Sequence, residues 1–147
     1  MQNKISNQIV SAGSLFIFKL PVEVPVQWCA IFQHPDNEEL WFTVPADEFS
    51  LVGTKDVEVP EGTACGPLNL RCQSGVWIHA NDFSTVKQVG EIEAIFVEQV
   101  QDRLSRIVSG DLPDASFLVG VESDPDYLEW IEELSEAVDD FQTYLEL

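Results

Sequence analysis

Positive charge is what this sequence has least of. Seven Lys and Arg face 26 Asp and Glu, a formal net charge of −19 over 147 residues, and no basic residue follows Arg106. A chain so negative is repelled by DNA, RNA and anionic membranes, so neither nucleic acid nor membrane is an expected partner. Cations, basic proteins and sites normally filled by nucleic acid are. Long apolar runs are also missing. Met1 to Asn7 is polar and the apolar run near Leu15 stops at Lys19, so the reading expects neither a signal peptide nor a membrane span. Cysteine is sparse: Cys29, Cys65 and Cys72 are odd in number and lack metal-type spacing. They are expected to be reduced, mostly buried thiols of a cytoplasmic protein. A zinc site joining them to His34 or His79 is the alternative. With no Gly-rich phosphate loop, nucleophile elbow or HExxH, the chain offers nothing that points to an enzyme.

What is present suffices for a core. Hydrophobic residues make up 45% of the chain, which argues against disorder despite the charge. From Gln8 to Ile78 the pattern is one of short strands. Ile9-Val10 and Leu15 to Phe18 are apolar and are followed by Pro21 and Pro25. Val26 to Phe32 is rich in aromatic and branched residues, His34 to Glu39 reads as a turn, and Leu40 to Val44 as the returning strand. Phe49 to Val52, Val57 to Val59, Leu68 to Cys72 and Val76 to Ile78 follow, separated by glycine- and proline-bearing turns. Trp28, Trp41 and Trp77 are expected in the core, as are Phe16, Phe18, Phe32 and Phe42. One of them exposed in a groove could serve as an interaction hot spot. His34 is expected at the surface.

From Glu91 onward the period changes. Ile92, Phe96, Val100, Leu104 and Ile107 recur at intervals of three and four, and so do Tyr127, Ile131, Leu134, Val138, Phe141 and Leu145. Ser109-Gly110 is a helix stop. Ser123-Asp124-Pro125-Asp126 is a helix start, either with Asp124 capping and Pro125 first in the helix, or with Ser123 capping and Asp126 reciprocating. The fold class expected is therefore α+β: a small, curved antiparallel sheet or SH3-like barrel over residues 1–85, then an acidic helix–loop–helix over 86–147, packed as one compact unit.

The loop between the helices draws the functional reading. Counted as twelve residues from Asp111 to Glu122 it fails as an ordinary EF-hand, because Pro113 and Ala115 occupy ligand positions and Ser116 stands where glycine is needed. Counted as fourteen from Ser109 to Glu122, it resembles the longer pseudo-EF-hand type, which relies on backbone carbonyls and a terminal glutamate. Asp111 and Asp114 could add carboxylates directly or through water. An ordinary acidic connector is the competing reading. On the second helix Glu129, Glu132, Glu133, Glu136, Asp139 and Asp140 crowd one another three or four apart, each like-charged pair costing roughly 0.2–0.5 kcal/mol. A bound cation would relieve that repulsion. The Asp36-Asn37-Glu38 turn places further oxygens on one tight reversal and is a second candidate cation site, although such residues are common in turns.

This layout, an acidic chain with a β-rich first half and the Ser109–Glu122 loop in a helical second half, resembles the CcbP-type small acidic calcium-binding proteins of heterocyst-forming cyanobacteria. The resemblance implies a cytoplasmic Ca2+ buffer or sensor tied to heterocyst differentiation. It also implies Glu122 as closing bidentate ligand, with Asp111, Asp114 and loop carbonyls, among them those of Ser109, Leu112 and Phe117, around the ion. The alternative function is an acidic protein-interaction module, a nucleic-acid mimic or a regulator that binds a basic partner.

Overall fold

The computed structural model describes residues 10–17, 27–48, 52–53, 55–83, 86–110 and 124–146. Among the described residues seven strands form one antiparallel sheet: β1 (Ser14–Ile17), β2 (Gln27–His34), β3 (Asn37–Asp47), β4 (Asp56–Val59), β5 (Leu68–Arg71), β6 (Val76–His79) and β7 (Lys87–Glu91). Among the described residues three α-helices accompany it: α1 (Ala80–Phe83), α2 (Ala94–Ser109) and α3 (Pro125–Glu146). The strand order is β4-β5-β3-β2-β1-β7, with β6 also paired to β3. The long β3 therefore holds two neighbours on one side, β6 against Leu40 to Thr43 and β5 against Ala46 and Asp47. Bulges between Ala30 and Phe32 and between Leu15 and Phe16 interrupt the ladders. Such insertions increase twist and bend a strand, and the sheet curls into a half-barrel.

Alternation decides which side chain enters which layer. Along β1 and β2, Leu15, Cys29 and Ile31 enter one buried cluster, while Phe16, Trp28 and Ala30 enter the other. Since both faces are covered, the strand interior is apolar at every position, which is how a sheet buried on both sides reads. The first cluster adds Val44, Ala46, Val57, Val59, Leu68 and Leu70, and α2 roofs it with Phe96, Val97 and Val100. The second adds Trp41, Val76 and Ile78, covered by Phe83 of α1 and by Leu134 and Val138 of α3. Each large side chain removed from water in this way contributes about 1.5–3 kcal/mol.

The expected hairpin from Trp28 to Val44 forms, with a tighter reversal than the sequence pattern suggests. Strand structure reaches His34 on one side and resumes at Asn37 on the other, leaving Pro35-Asp36 as the turn. At its far end β3 runs on through Pro45, opposite Trp28. Trp28 and Trp41 are core residues as expected, whereas Trp77 is 39% exposed. In β6, Val76 and Ile78 point into the second cluster, so alternation turns Trp77 to the other face. Residues 18, 49–51 and 111–123 lie outside the described residues, and with them Phe18 and, but for Val52, the strand expected at Phe49 to Val52.

The start of α2 differs from the periodic expectation. Lys87–Glu91 is a strand paired with β1, so the sheet reaches past residue 85, and the helix begins only at Ala94. Glycine at position 90 is a poor helix former. A side chain there would also press on the Cys65 Sγ, 2.7 Å from where its Cβ would lie. Ile92, though buried, sits ahead of the helix and donates its N–H to the Gly13 carbonyl at 2.9 Å. Gly13 has φ +97°, and its N–H bonds the Ala30 carbonyl at 2.7 Å, so this left-handed residue stitches the entry of β1 to β2 and β7. Gly110, also left-handed with φ +74°, closes α2 as the Ser109-Gly110 signal requires.

Candidate functional site

Under α3 the second layer contains polar groups that the sequence pattern did not single out. Arg71 is wholly buried, and so are the Asp47 and Asp56 carboxylates. The guanidinium forks onto Asp47, Nε to Oδ2 at 2.9 Å and Nη2 to Oδ1 at 2.8 Å, while Nη1 donates to Asp56 Oδ2 at 2.8 Å. Asp56 Oδ2 also accepts from the Gly53 N–H and the Tyr127 hydroxyl, both at 2.8 Å, and Asp47 Oδ2 from Trp130 Nε1 at 3.3 Å. Burial alone would push the Arg71 guanidinium toward neutrality, but the Asp47 hydrogen bonds and the two carboxylate charges outweigh it and hold its pKa above the ordinary value. The group stays charged. Through Tyr127 and Trp130 the network fastens α3 to the sheet. One signal was available in the sequence: Arg71 is the only basic residue between Lys55 and Lys87, and it stands in an apolar strand. A cation so placed requires buried carboxylates.

The apolar side of α3, carrying Tyr127, Leu134, Ala137 and Val138, faces the sheet. Its other side is acidic: Glu129, Glu132, Glu133, Glu136, Asp139 and Asp140 are all exposed. The ion pairs among the described residues are Arg71 with Asp47 and Asp56, His79 with Glu39, and Arg106 with Asp102, so none of them engages an α3 carboxylate. The helix starts as the first of the two expected caps: Pro125 is its first residue and Asp124 Oδ1 accepts the Asp126 N–H at 2.8 Å.

Of the residues expected in the calcium loop, Ser109 is described, an exposed last residue of α2 whose hydroxyl donates to the Arg106 carbonyl at 3.3 Å. Asp111, Leu112, Asp114, Phe117 and Glu122 lie outside the described residues. The second candidate, Asp36-Asn37-Glu38, is exposed at the tip of the β2–β3 hairpin. Two of its oxygens are committed within the hairpin: Asn37 Oδ1 accepts the Glu39 N–H and the Glu38 carbonyl accepts Gln33 Nε2, both at 3.0 Å. The Asp36 and Glu38 carboxylates take part in neither bond. Among the described residues no three His, Cys, Asp or Glu side chains are grouped so as to hold a metal, and this includes the cysteine–histidine combination. All three cysteines are free thiols. Burial pushes the Cys29 thiol far above its usual pKa, and burial followed by the Asp56 charge raises Cys72 to about 12.

Beside the hairpin tip lies an aromatic row in which Phe32 and Phe42 pack half-buried against the first cluster and Trp77 is exposed. Phe32, Phe42 and Trp77 are cross-strand neighbours on β2, β3 and β6. Phe32 and Phe42 stack at 5.4 Å between centroids, and Trp77 meets both edge-on, at 5.6 and 5.2 Å. The His34 ring is 4.9 Å from the indole, and its Nδ1 accepts the Asp36 N–H at 3.0 Å.

No family model and no curated protein matches the sequence. Among solved structures, chains from two crystal forms of MazE-MazF from Deinococcus radiodurans are similar in fold. Form II matches with a TM-score of 0.55 at 13% identity, over 69% of this chain and 96% of the other. Form III matches with 0.53 at 12%, over 69% and 98%. At that identity the likeness concerns the fold alone. No helix among the described residues is long and apolar enough to cross a membrane.

Proposed function

We propose that this chain is an acidic interaction module that docks a basic protein. The observation that carries the reading is α3. Its apolar side is bonded to a buried ionic network, while six carboxylates stand on its exposed side with no ion-pair partner among the described residues. A helix tolerates such crowding at a cost of roughly 0.2–0.5 kcal/mol per like-charged pair. A basic partner removes that cost on binding, and long-range attraction speeds the encounter. The fold neighbours support the reading only in that they come from structures of two proteins named together, MazE-MazF. The test is binding to polylysine with a chelator present. Binding should persist without metal, weaken as salt rises, and fall when Glu132, Glu133, Glu136 and Asp140 are changed to their amides. Binding that disappears on chelation would sink this reading.

A second reading, a calcium buffer or sensor of the CcbP type with its site at Ser109–Glu122, is favoured by the helix ends. Gly110 closes α2 and Asp124 caps α3, so the intervening stretch is bounded as a pseudo-EF-hand loop would be. Helix, loop and helix would then form one binding unit. Calorimetric titration with calcium tests it: no heat at millimolar calcium, or heat unchanged in Glu122→Gln, rejects it.

A further inference from the structure

Among the described residues, Trp77 is the large aromatic side chain that the curled sheet holds at the surface instead of burying. Its neighbours fix it in place: Phe32 and Phe42 against its edges and His34 tilted over it at 4.9 Å. Gly75 keeps the row closed, because a Cβ there would fall inside contact distance of the Phe42 ring. An indole restrained on several sides loses little entropy when a partner covers it, which is the property of a binding anchor. The hairpin tip that carries His34 is acidic. Asp36 is tied to His34 through its N–H, and Glu39 lies 3.5 Å from His79, two residues along β6 from Trp77. Glu38 completes the rim, braced by the Gln33 bond to its carbonyl. The exposed residues Asp36 and Glu38 therefore belong to the same hairpin tip as His34, whose ring meets the indole. A cation carried on a flat, weakly hydrated group would find an aromatic surface to lie on and carboxylates to bond.

We infer that the Trp77 surface, bordered by Phe32, His34, Asp36 and Glu38, receives an arginine side chain of the basic partner. This rests on the interaction-module reading and adds to it a specific contact. Val76 and Ile78 face the layer under α3 while Trp77 faces the other way, so the patch lies on the opposite side of β6 from the acidic helix. A partner that uses both surfaces must therefore reach around β6. Arginine is favoured over lysine because the guanidinium can stack on the indole while its N–H groups reach a carboxylate.

The test uses the full chain and an octapeptide of alternating glycine and arginine, with a counterpart carrying neutral citrulline in place of arginine. Binding is followed at low ionic strength through the Trp77 indole N–H resonance, assigned with Trp77→Phe, and through calorimetry. The arginine peptide should shift that resonance saturably and the citrulline peptide should not. Trp77→Leu, which keeps apolar bulk but removes the π face, should weaken binding about three- to tenfold. Asp36→Asn with Glu38→Gln, at exposed positions that do not support the core, should weaken it by a similar factor, and this pair decides the matter if Trp77→Leu fails to fold. If the arginine peptide binds but the resonance stays still and these variants bind as well as the parent, the inference is overturned and the interaction module stands. If the peptide does not bind at all, both fall.

Discussion

The Tyr127 hydroxyl donates to Asp56 Oδ2 at 2.8 Å across a sequence separation of 71 residues, joining the first turn of α3 to the start of β4. The bond ends on a carboxylate already held by Arg71, so the position of the acidic helix depends on an ionic cluster inside the sheet. Removing this hydroxyl in Tyr127→Phe leaves the ring packed and deletes one charge-assisted bond. The expected loss is about 1.5–3 kcal/mol, read as a lower urea midpoint at unchanged slope. A midpoint equal to that of the parent would mean the bond is not formed in solution.

Arg71 should be far less replaceable. Arg71→Met strands the Asp47 and Asp56 carboxylates in a buried site, at a cost of roughly 3–5 kcal/mol. Arg71→Lys should recover little, since one ammonium cannot reproduce a fork that bonds two carboxylates at once. If the lysine variant unfolds at the parent's midpoint, the bidentate geometry is not what stabilises the cluster.

Gly75→Ala tests the packing of the aromatic row from behind. The added methyl meets the Phe42 ring, which is itself confined by Phe32 and Trp77. Overpacking of this kind costs about 1–3 kcal/mol, and a change in tryptophan fluorescence should accompany it. A variant with unaltered stability and emission would show that the row has room to move.

The buried thiols give a sign-definite pH effect. Cys29 and Cys72 keep their protons in the folded state well above the ordinary thiol value of 9.0, Cys72 to about 12. Their stabilising contribution is complete below that ordinary value. It declines as pH rises above it, because the unfolded chain then releases protons that the folded chain retains. Each thiol adds a slope of about 1.4 kcal/mol per pH unit in that window. Urea midpoints should fall from about pH 9 upward, less steeply in Cys72→Ala, and a thiol reagent should leave Cys29 and Cys72 unmodified until the protein unfolds. Rapid labelling of either in the native protein contradicts this.

Calcium and sodium at matched ionic strength separate the two functional readings by stability. A site at Ser109–Glu122 would raise the thermal midpoint with calcium, in proportion to about 2.7 kcal/mol at a hundredfold excess over Kd, and magnesium would do less. Equal shifts with sodium would mark the effect as screening of the α3 carboxylates and leave the loop a connector.

Local signals in the chain were enough for several elements. The branched and aromatic run from Val26 to Phe32 specified β2, Gly110 the end of α2, and Asp124-Pro125 the start of α3, because caps and strand propensity act over a few residues. The charge asymmetry was likewise legible, since composition alone sets the sign of the field. Other features depended on partners distant in sequence. Lys87 to Glu91 became a strand because β1 offered an unpaired edge, and no pattern within those five residues announces that pairing. Trp77 left the core because Val76 and Ile78 took the layer beneath α3, a choice between two faces that a four-residue strand cannot make by itself. Asp47, Asp56, Arg71, Tyr127 and Trp130 read as scattered polar or aromatic positions until folding brings them within hydrogen-bonding distance. A buried guanidinium requires carboxylates, but only the order of the strands decided which carboxylates reach it.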